Sequence, residues 1–542
     1  MQLDLKKIPF GKRLSRHMLY EETDNLVSGW TKGLYLALAA DSGGGFIGGP
    51  MMGPKGFALI TPVSEGKDLE YTCSASASVA VMKTEKGSAR FAIDGTKVLR
   101  VEGSGFGLRI NGRLGFGGIA VMTERGIEIT MAGGIYLITA RRGKMSLDCH
   151  WELKALRSTD PVITVEPDKS GTFDLAVYDT NDAYIIPELG NSFNQCVAES
   201  EAEYNTFASS LTNPDAVEET LYDLCAYALW TGFQIFKGME LVPSNKMADM
   251  NIYSIEQAIV ALPLQDVDRA LDIISDTLNG MTPQGMVPVW FSERQNLYEA
   301  VPPVYAFVVS RFIDDGKLIS ISKEKLSGFY NAMSKAVKWW LKNRLSDDGL
   351  VYYAYRHECN WQKEKIFGAG TPCATPDLAA YVALAADSLS KIAAMLGKTD
   401  DAAFWADKSK RQVDILKDRL WNSTGFISIN PLTGDSAPAE GMLPLIPLIL
   451  GNRLPGAVID TLVEKTKMIS FEKTPIIPAT LIIHGLNTSG KNDDAETAAS
   501  MLIKSCVTGG ANDMRGLGVG SINAGNYFSP AACAALLSFG RL

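Results

Sequence analysis

Histidine is scarce in this chain of 542 residues: only His17, His150, His357 and His484 occur, too few for a His-rich metal centre. The eight cysteines (Cys73, Cys149, Cys196, Cys225, Cys359, Cys373, Cys506 and Cys533) are scattered, with no C-x-x-C pair and no zinc-ligand spacing. They read as free thiols in a reducing cytosol, most of them buried as small hydrophobes. No metal and no cofactor is expected. Long Lys/Arg runs are also missing, and the net charge of −9 argues against a nucleic-acid partner, which needs a dense basic surface. The opening MQLDLKKIPFGKRLSRHMLYEE has neither an apolar core nor a small-residue cleavage site, so no signal peptide is read there. No apolar run is read as a membrane span. The most apolar stretch, residues 442–450, is broken by Pro444 and Pro447 and reads as a buried loop and helix start. The expectation is a soluble cytoplasmic protein with no membrane partner, its oligomeric state left open to a homo-oligomer.

What is present divides in two. Over the first ~190 residues, short alternating apolar and polar runs are punctuated by glycine, as in GLYLALAA (33–40), KGFALITPV (55–63), GLRINGRL (107–114) and GIYLITARRG (134–143). This is the pattern of an antiparallel β-sandwich. After Pro214 the period becomes helical, as in residues 216–236, 254–263, 266–280, 302–314, 323–344, 375–397, 399–421, 455–466, 493–506 and 529–540. Thr375-Pro376-Asp377 is a helix start and Gly397 a stop. Some 330 residues of helix–loop pairs fit roughly twelve helices of ordinary length. No 34- or 40-residue consensus recurs, which speaks against a solenoid. The fold class predicted is an N-terminal β-sandwich (1–195), a linker (196–213) and a C-terminal (α/α)6 toroid with six hairpins (214–542).

Glycine-rich runs at 43–49 and 103–118 lack the G-x-G-x-x-G frame and any Walker lysine, and they read as tight β turns rather than nucleotide loops. GKNDDAE (490–496) lacks EF-hand spacing and reads as an acidic helix start.

Several segments, in order, resemble the α/α-toroid glycoside hydrolases of the processing α-glucosidase I, trehalase, glucosylglycerate hydrolase and mannosylglycerate hydrolase group. They are GMVPVWFSE (285–293) with VPPVYAFVVSRF (301–312), WWLKNRLSDDGLVYY (339–353), YRHECNW (355–361), the long 375–427 helix pair and GGANDMRGLGVGSINAGNYFSPAACAALL (509–537). The opening residues also resemble the start of the β-sandwich that precedes such toroids. The resemblance covers most of the chain at the level of pattern. It implies a glycosidase acting on a small glycoside or oligosaccharide, with a pocket at the toroid mouth partly walled by the β domain.

Glycoside hydrolysis uses two carboxyl groups, one protonating the leaving oxygen and one activating water or attacking the sugar. The family's acid is the Asp of its "H-E-S-G-W-D-N-S" loop, and this chain has Gln362 there; an amide cannot serve as a general acid. Glu358 and Glu364 are the nearby carboxylates. The family's base, a terminal Glu, falls near Asn512, with Asp513 adjacent. The catalytic candidates are therefore Glu358 or Glu364 as acid and Asp513 as base. The substrate-binding candidates are Trp290, Glu293, Tyr355, Arg356, His357, Trp361, Gln362 and Asp249. For Trp361 both stacking on a sugar face and sealing the loop are open. Asp249 competes with a helix-cap reading in which Ser254 is the better cap. Two other readings remain: a sugar lyase or isomerase, in which His357, Glu358, Cys359 or Tyr355 carries protons, and a carbohydrate-binding protein without catalysis.

Overall fold

The computed structural model describes residues 1–22, 31–38, 56–114, 118–131, 134–154, 156–180, 189–212, 217–243, 252–291, 299–361, 365–511 and 528–541. The N-terminal half is a pair of antiparallel sheets. One runs in the order His17–Glu22, Gly33–Leu38, Gly56–Ser64, Gly107–Gly112, Val162–Glu166 and Lys144–Asp148, with Lys67–Asp68 hairpinned onto the third. The other runs Ile119–Thr123, Gly126–Met131, Gly134–Arg142, Thr172–Asp179, Val98–Ser104, Ser88–Asp94, Ala80–Lys83 and Thr72–Ala75. Alternation explains the packing: in Gly107–Gly112 Leu108 and Ile110 are buried while Arg109 and Asn111 are half-buried. Gly103 is required where it stands, because a Cβ there would lie 2.3 Å from the ring of Phe173 on the neighbouring strand. The opposite face of the first sheet is covered as well, since Met18, Tyr20, Tyr35 and Ala37 form a second buried cluster, with Tyr20 and Tyr35 stacked at 5.6 Å.

Helix α1 (Phe193–Ser209) occupies the stretch expected to be a linker. Its start is a capping box: the Ser192 amide donates to Gln195 Oε1 at 2.8 Å, and Ser192 Oγ accepts from the Gln195 amide at 3.4 Å. The helix lies on strand Ser88–Asp94, with the Arg90 guanidinium 4.6 Å from the Phe193 ring centroid. Then follow α2 (Glu219–Gly232), α3 (Ser254–Val260), α4 (Val267–Asn279), α5 (Tyr305–Asp314), α6 (Lys323–Asn343), α7 (Pro376–Met395) and α8 (Thr399–Asp418). A 3₁₀ segment, Leu443–Arg453, precedes α9 (Gly456–Thr466), α10 (Ile476–Thr488), α11 (Asn492–Gly509) and α12 (Pro530–Leu537).

Burial sorts these elements. Every residue of α3 and α12, and residues 476–486 of α10, are buried, whereas α6 and α8 bury one stripe. The inner elements pack α3 on α5, α5 on α7, α7 on Leu443–Arg453, that segment on α10, α10 on α12 and α12 back on α3. The result is a closed toroid. It explains why α10 shows no amphipathic period in the sequence: a helix wetted on no side needs none. Helix α7 is long and apolar enough to cross a membrane, which the sequence reading did not register, and 72% of that window is buried inside the ring. Residues 234–236, expected to extend α2, instead pair with Met239–Leu241 through a turn at Lys237 and Gly238, both at positive φ.

The N-terminal strap binds the two halves. The Gly11 amide donates to Tyr227 Oη at 2.8 Å, the Leu14 amide to the Phe233 carbonyl at 3.0 Å, and Gln234 Nε2 to the Ser15 carbonyl at 3.2 Å. Lys12 Nζ sits 3.4 Å from Glu203 Oε2, and Arg13 pairs with Glu240 at 2.5 Å.

Candidate active site

Three inner helices start at one end of the ring, and the segments leading into them are stitched together. Ile252–Tyr253 pairs with Trp290–Phe291, and the Ser254 amide donates to the Val289 carbonyl at 2.9 Å. The Val289 amide donates to the Glu299 carbonyl at 3.2 Å, and Ala300 bridges Pro288. Ser254 does not cap α3 as expected; its hydroxyl is spent on the Pro288 carbonyl at 2.5 Å, and Tyr253 stands at the cap position. The third segment, residues 353–361, precedes α7. It holds a 3₁₀ turn, Arg356–Cys359, which Asn360 ends at a left-handed φ of 68°.

Glu358 locks this third segment to the second. It is fully buried, and both carboxyl oxygens are filled. Oε1 accepts from the Ala300 amide at 3.1 Å and from Arg344 Nη2 at 3.2 Å; Oε2 accepts from the Ala354 amide at 2.6 Å and the Tyr355 amide at 3.2 Å. Burial pushes its pKa up, against the pull of the Arg344 charge and the three amides. Four N–H donors leave no vacant lone pair for a leaving-group oxygen. This arrangement suits a residue that holds the loop.

Beneath the loop lies an aromatic floor. Tyr353 meets Trp340 at 6.2 Å and Phe367 at 5.9 Å between ring centroids, and Trp340 Nε1 donates to the Val301 carbonyl at 3.3 Å. The Tyr353 hydroxyl donates to Asp377 Oδ2 at 2.9 Å. Asp377 sits fully buried in the first turn of α7, where burial raises its carboxyl to about 6. Trp361, 4% exposed, takes the sealing role of the two open to it. Cys359 is buried too, its thiol 3.1 Å from the Arg356 carbonyl.

The exposed part of the loop is Tyr355, Arg356 and His357. Arg356 places its guanidinium 5.6 Å from the Phe367 ring centroid. His357 Nδ1 lies 3.3 Å from Glu299 Oε1, and the Glu299 side chain is only 13% exposed. Trp290, half-buried, meets Tyr253 edge-on at 6.3 Å. The structure thus brings Trp290, Tyr355, Arg356 and His357 to one end of the toroid. Asp249, Glu293, Gln362, Glu364 and Asp513 lie outside the described residues. Glu299, Arg344, Asp377 and Tyr253 were not anticipated. A Glu set directly before A-V-P-P and an Asp inside T-P-D-L were visible as charges in apolar surroundings, which is the available signal for the first and third.

With this geometry in view, residues 250–485 match the family described as the mannosylglycerate hydrolase MGH1-like glycoside hydrolase domain. The helical half carries a glycoside hydrolase domain. That match begins before Tyr253 and takes in Trp290, Glu299, the 353–361 loop and α7. No curated protein matches the chain by sequence. Among solved structures, the chain is similar to the family GH92 α-mannosidase from Bacteroides thetaiotaomicron, at 11% identity and a TM-score of 0.59, over 99% of this chain and 81% of that one. It is similar to a bacterial glucoamylase complexed with acarbose at 10% identity and a TM-score of 0.60, over 98% of this chain and 92% of that one. Both likenesses show the fold, β domain and toroid together. A GH63 mannosylglycerate hydrolase from Thermus thermophilus aligns over 53% of this chain and 92% of that one, at 15% identity and a TM-score of 0.42.

Proposed function

We propose that the glycoside hydrolase domain cleaves a small glycoside or oligosaccharide at the end of the toroid where α3, α5 and α7 begin. The observation that carries this is the family match across residues 250–485, which brackets the cluster of Tyr253, Trp290, Glu299, Tyr355, Arg356 and His357. The cluster has the makings of a sugar site: aromatic faces for C–H surfaces and charged groups for hydroxyls. Glu364 is the general acid in this reading and Asp513 the base that activates water. The sequence supports the first assignment: Glu364 stands two residues beyond Gln362, the position of the family's acid. Glu358 positions the loop. The Glu299–His357 pair, with Tyr355, Arg356, Trp290, Glu293, Gln362 and Asp249, meets the substrate. The whole-chain structural relatives are an α-mannosidase, also solved with mannoimidazole, and a glucoamylase solved with acarbose; they make α-mannosides and α-glucosides the first candidates. Elimination, isomerisation and binding without catalysis find no comparable support. A cytosolic location belongs to the same reading, in keeping with eight free cysteines.

Incubation with α-mannosides and α-glucosides in oxygen-18 water tests this. Wild type should release sugar labelled at the anomeric oxygen, with carbonyl exchange controlled by early quenching. Glu364→Gln and Asp513→Asn should each lower turnover by about 10²–10⁴-fold without loss of fold. Label-free consumption would point to elimination or isomerisation. Undiminished hydrolysis in Glu364→Gln would remove that residue from the acid role.

A further inference from the structure

Helix α6 carries a second constellation, away from the 353–361 loop. Lys335, Lys338 and Lys342 share one face at the i, i+3, i+7 spacing. Lys398, at the turn into α8, joins them, and the four lysines are among the residues lining a groove of about 470 Å³. Its floor is aromatic and fixed. Tyr330 and Trp339 are buried, Trp405 Nε1 donates to the Tyr330 hydroxyl at 3.1 Å, Lys398 Nζ sits 4.4 Å from the Tyr330 ring centroid, and Lys338 Nζ sits 5.8 Å from that of Trp405.

The protein answers this charge only in part. Several lysines elsewhere on the helical surface meet acids: Lys325 is 2.7 Å from both Asp268 and Asp272, Lys391 is 3.2 Å from Asp387, and Lys417 is 2.8 Å from Asp414. Among the described residues, none of the four groove lysines has a carboxylate within ion-pair distance. Asp401 is the one carboxylate among the residues lining the groove. Lys342 is explained by the negative end of its helix, whereas Lys335 and Lys338 are mid-helix and repel each other. Four lysines against a single carboxylate in one groove, on a chain of net charge −9, call for an anion.

We propose that this groove binds a small oligoanion bearing two or more phosphate or phosphate-like groups, at a site distinct from the hydrolytic loop. The volume falls in the range of small-molecule sites, and Lys335 to Lys342 spans about 10 Å of helix, room for more than one anionic group. The groove also touches the anchor of the loop. The Arg344 guanidinium lies 5.0 Å from the Trp339 ring centroid, and its Nη2 is the donor to Glu358. The binding claim does not depend on the hydrolytic reading, so its test reads heat rather than turnover.

Titration calorimetry of the full chain with inorganic tripolyphosphate decides it, with a neutral trisaccharide as control. Saturable binding at one site per chain is expected. It should weaken by about tenfold or more in K335A/K338A, persist in K335R/K338R, and fall as salt rises from about 50 mM to about 200 mM. No saturable heat, or an unchanged affinity in K335A/K338A, overturns the proposal. Tighter binding of a glutamate decapeptide than of tripolyphosphate overturns it too, in favour of an acidic protein segment as the occupant.

Discussion

The 353–361 loop has two halves that differ in which way they face. Tyr355, Arg356 and His357 are exposed, while Glu358, Cys359 and Trp361 are buried. One 3₁₀ turn joins them, so a single residue step separates solvent from core. The difference separates two meanings of a polar residue in a catalytic neighbourhood. Glu358 looks catalytic by its place in the sequence, yet each of its oxygens already accepts two hydrogen bonds. His357, next to it, has one ring nitrogen near Glu299 and half its side-chain surface free. The inward half should govern whether the loop exists, and the outward half what the loop does.

Breaking the inward half should produce the largest effect. Glu358→Ala removes the acceptor of three backbone amides and the carboxylate paired with Arg344, whose side chain is 16% exposed. Removing one partner of a buried pair costs about 3–5 kcal/mol, so the midpoint in urea should fall steeply. Activity should be lost along with the ordered loop. Wild-type stability in Glu358→Ala would show that the four hydrogen bonds are not holding the loop. Trp361→Ala should cost about 3 kcal/mol, the low end for a buried tryptophan, because a surface loop can collapse onto the gap.

The inward half was also the part least legible in the sequence. The helical toroid and the β-sandwich follow from periods of 3.6 and 2, and most helix bounds fall within a few residues of the pattern. Helix α10 escaped because a helix buried all round shows no stripe. Helix α1 escaped because polar residues such as Glu199, Glu201 and Glu203 disguised it as a linker, while its capping box depends on a side chain–backbone exchange that spacing only hints at. The approach of His357 to Glu299 spans 58 residues, and that of Arg344 to Glu358 depends on where α6 ends. Neither contact has a local sequence signature. The family resemblance drew attention to the loop but could not say which of its carboxylates would face inward.

Asp377 sharpens the contrast through pH. Its carboxyl titrates at about 6 in the folded chain against an ordinary 3.8. Between about pH 4 and pH 6 the folded chain therefore keeps a proton that the unfolded chain has released. Stability from this group is present at low pH and is lost as pH rises through that window. Asp377→Asn has no such proton to lose. Wild type should accordingly lose roughly 2 kcal/mol relative to Asp377→Asn between pH 4 and pH 7, with the other titrations cancelling in the difference. A constant difference across that range would mean that Asp377 stays ionised beneath Tyr353.

The smallest expected effect on stability comes from the outward half. His357→Ala deletes an exposed ring whose recorded contact is the 3.3 Å approach of Nδ1 to Glu299, so stability should change by no more than about 0.5 kcal/mol. If the Glu299–His357 pair meets the substrate, the same variant should raise KM or lower kcat/KM for an α-glycoside while its unfolding curve overlays that of wild type. Glu299→Gln should act in the same direction, because it keeps the shape of the side chain and removes the charge that orients the imidazole. The two effects should fall short of additive, since each variant disables the same pair. Equal kinetics in wild type and His357→Ala would confine substrate contact to Trp290, Tyr355, Arg356 and the neighbouring segments. A stability loss in His357→Ala as large as that in Glu358→Ala would erase the division between the two halves of the loop.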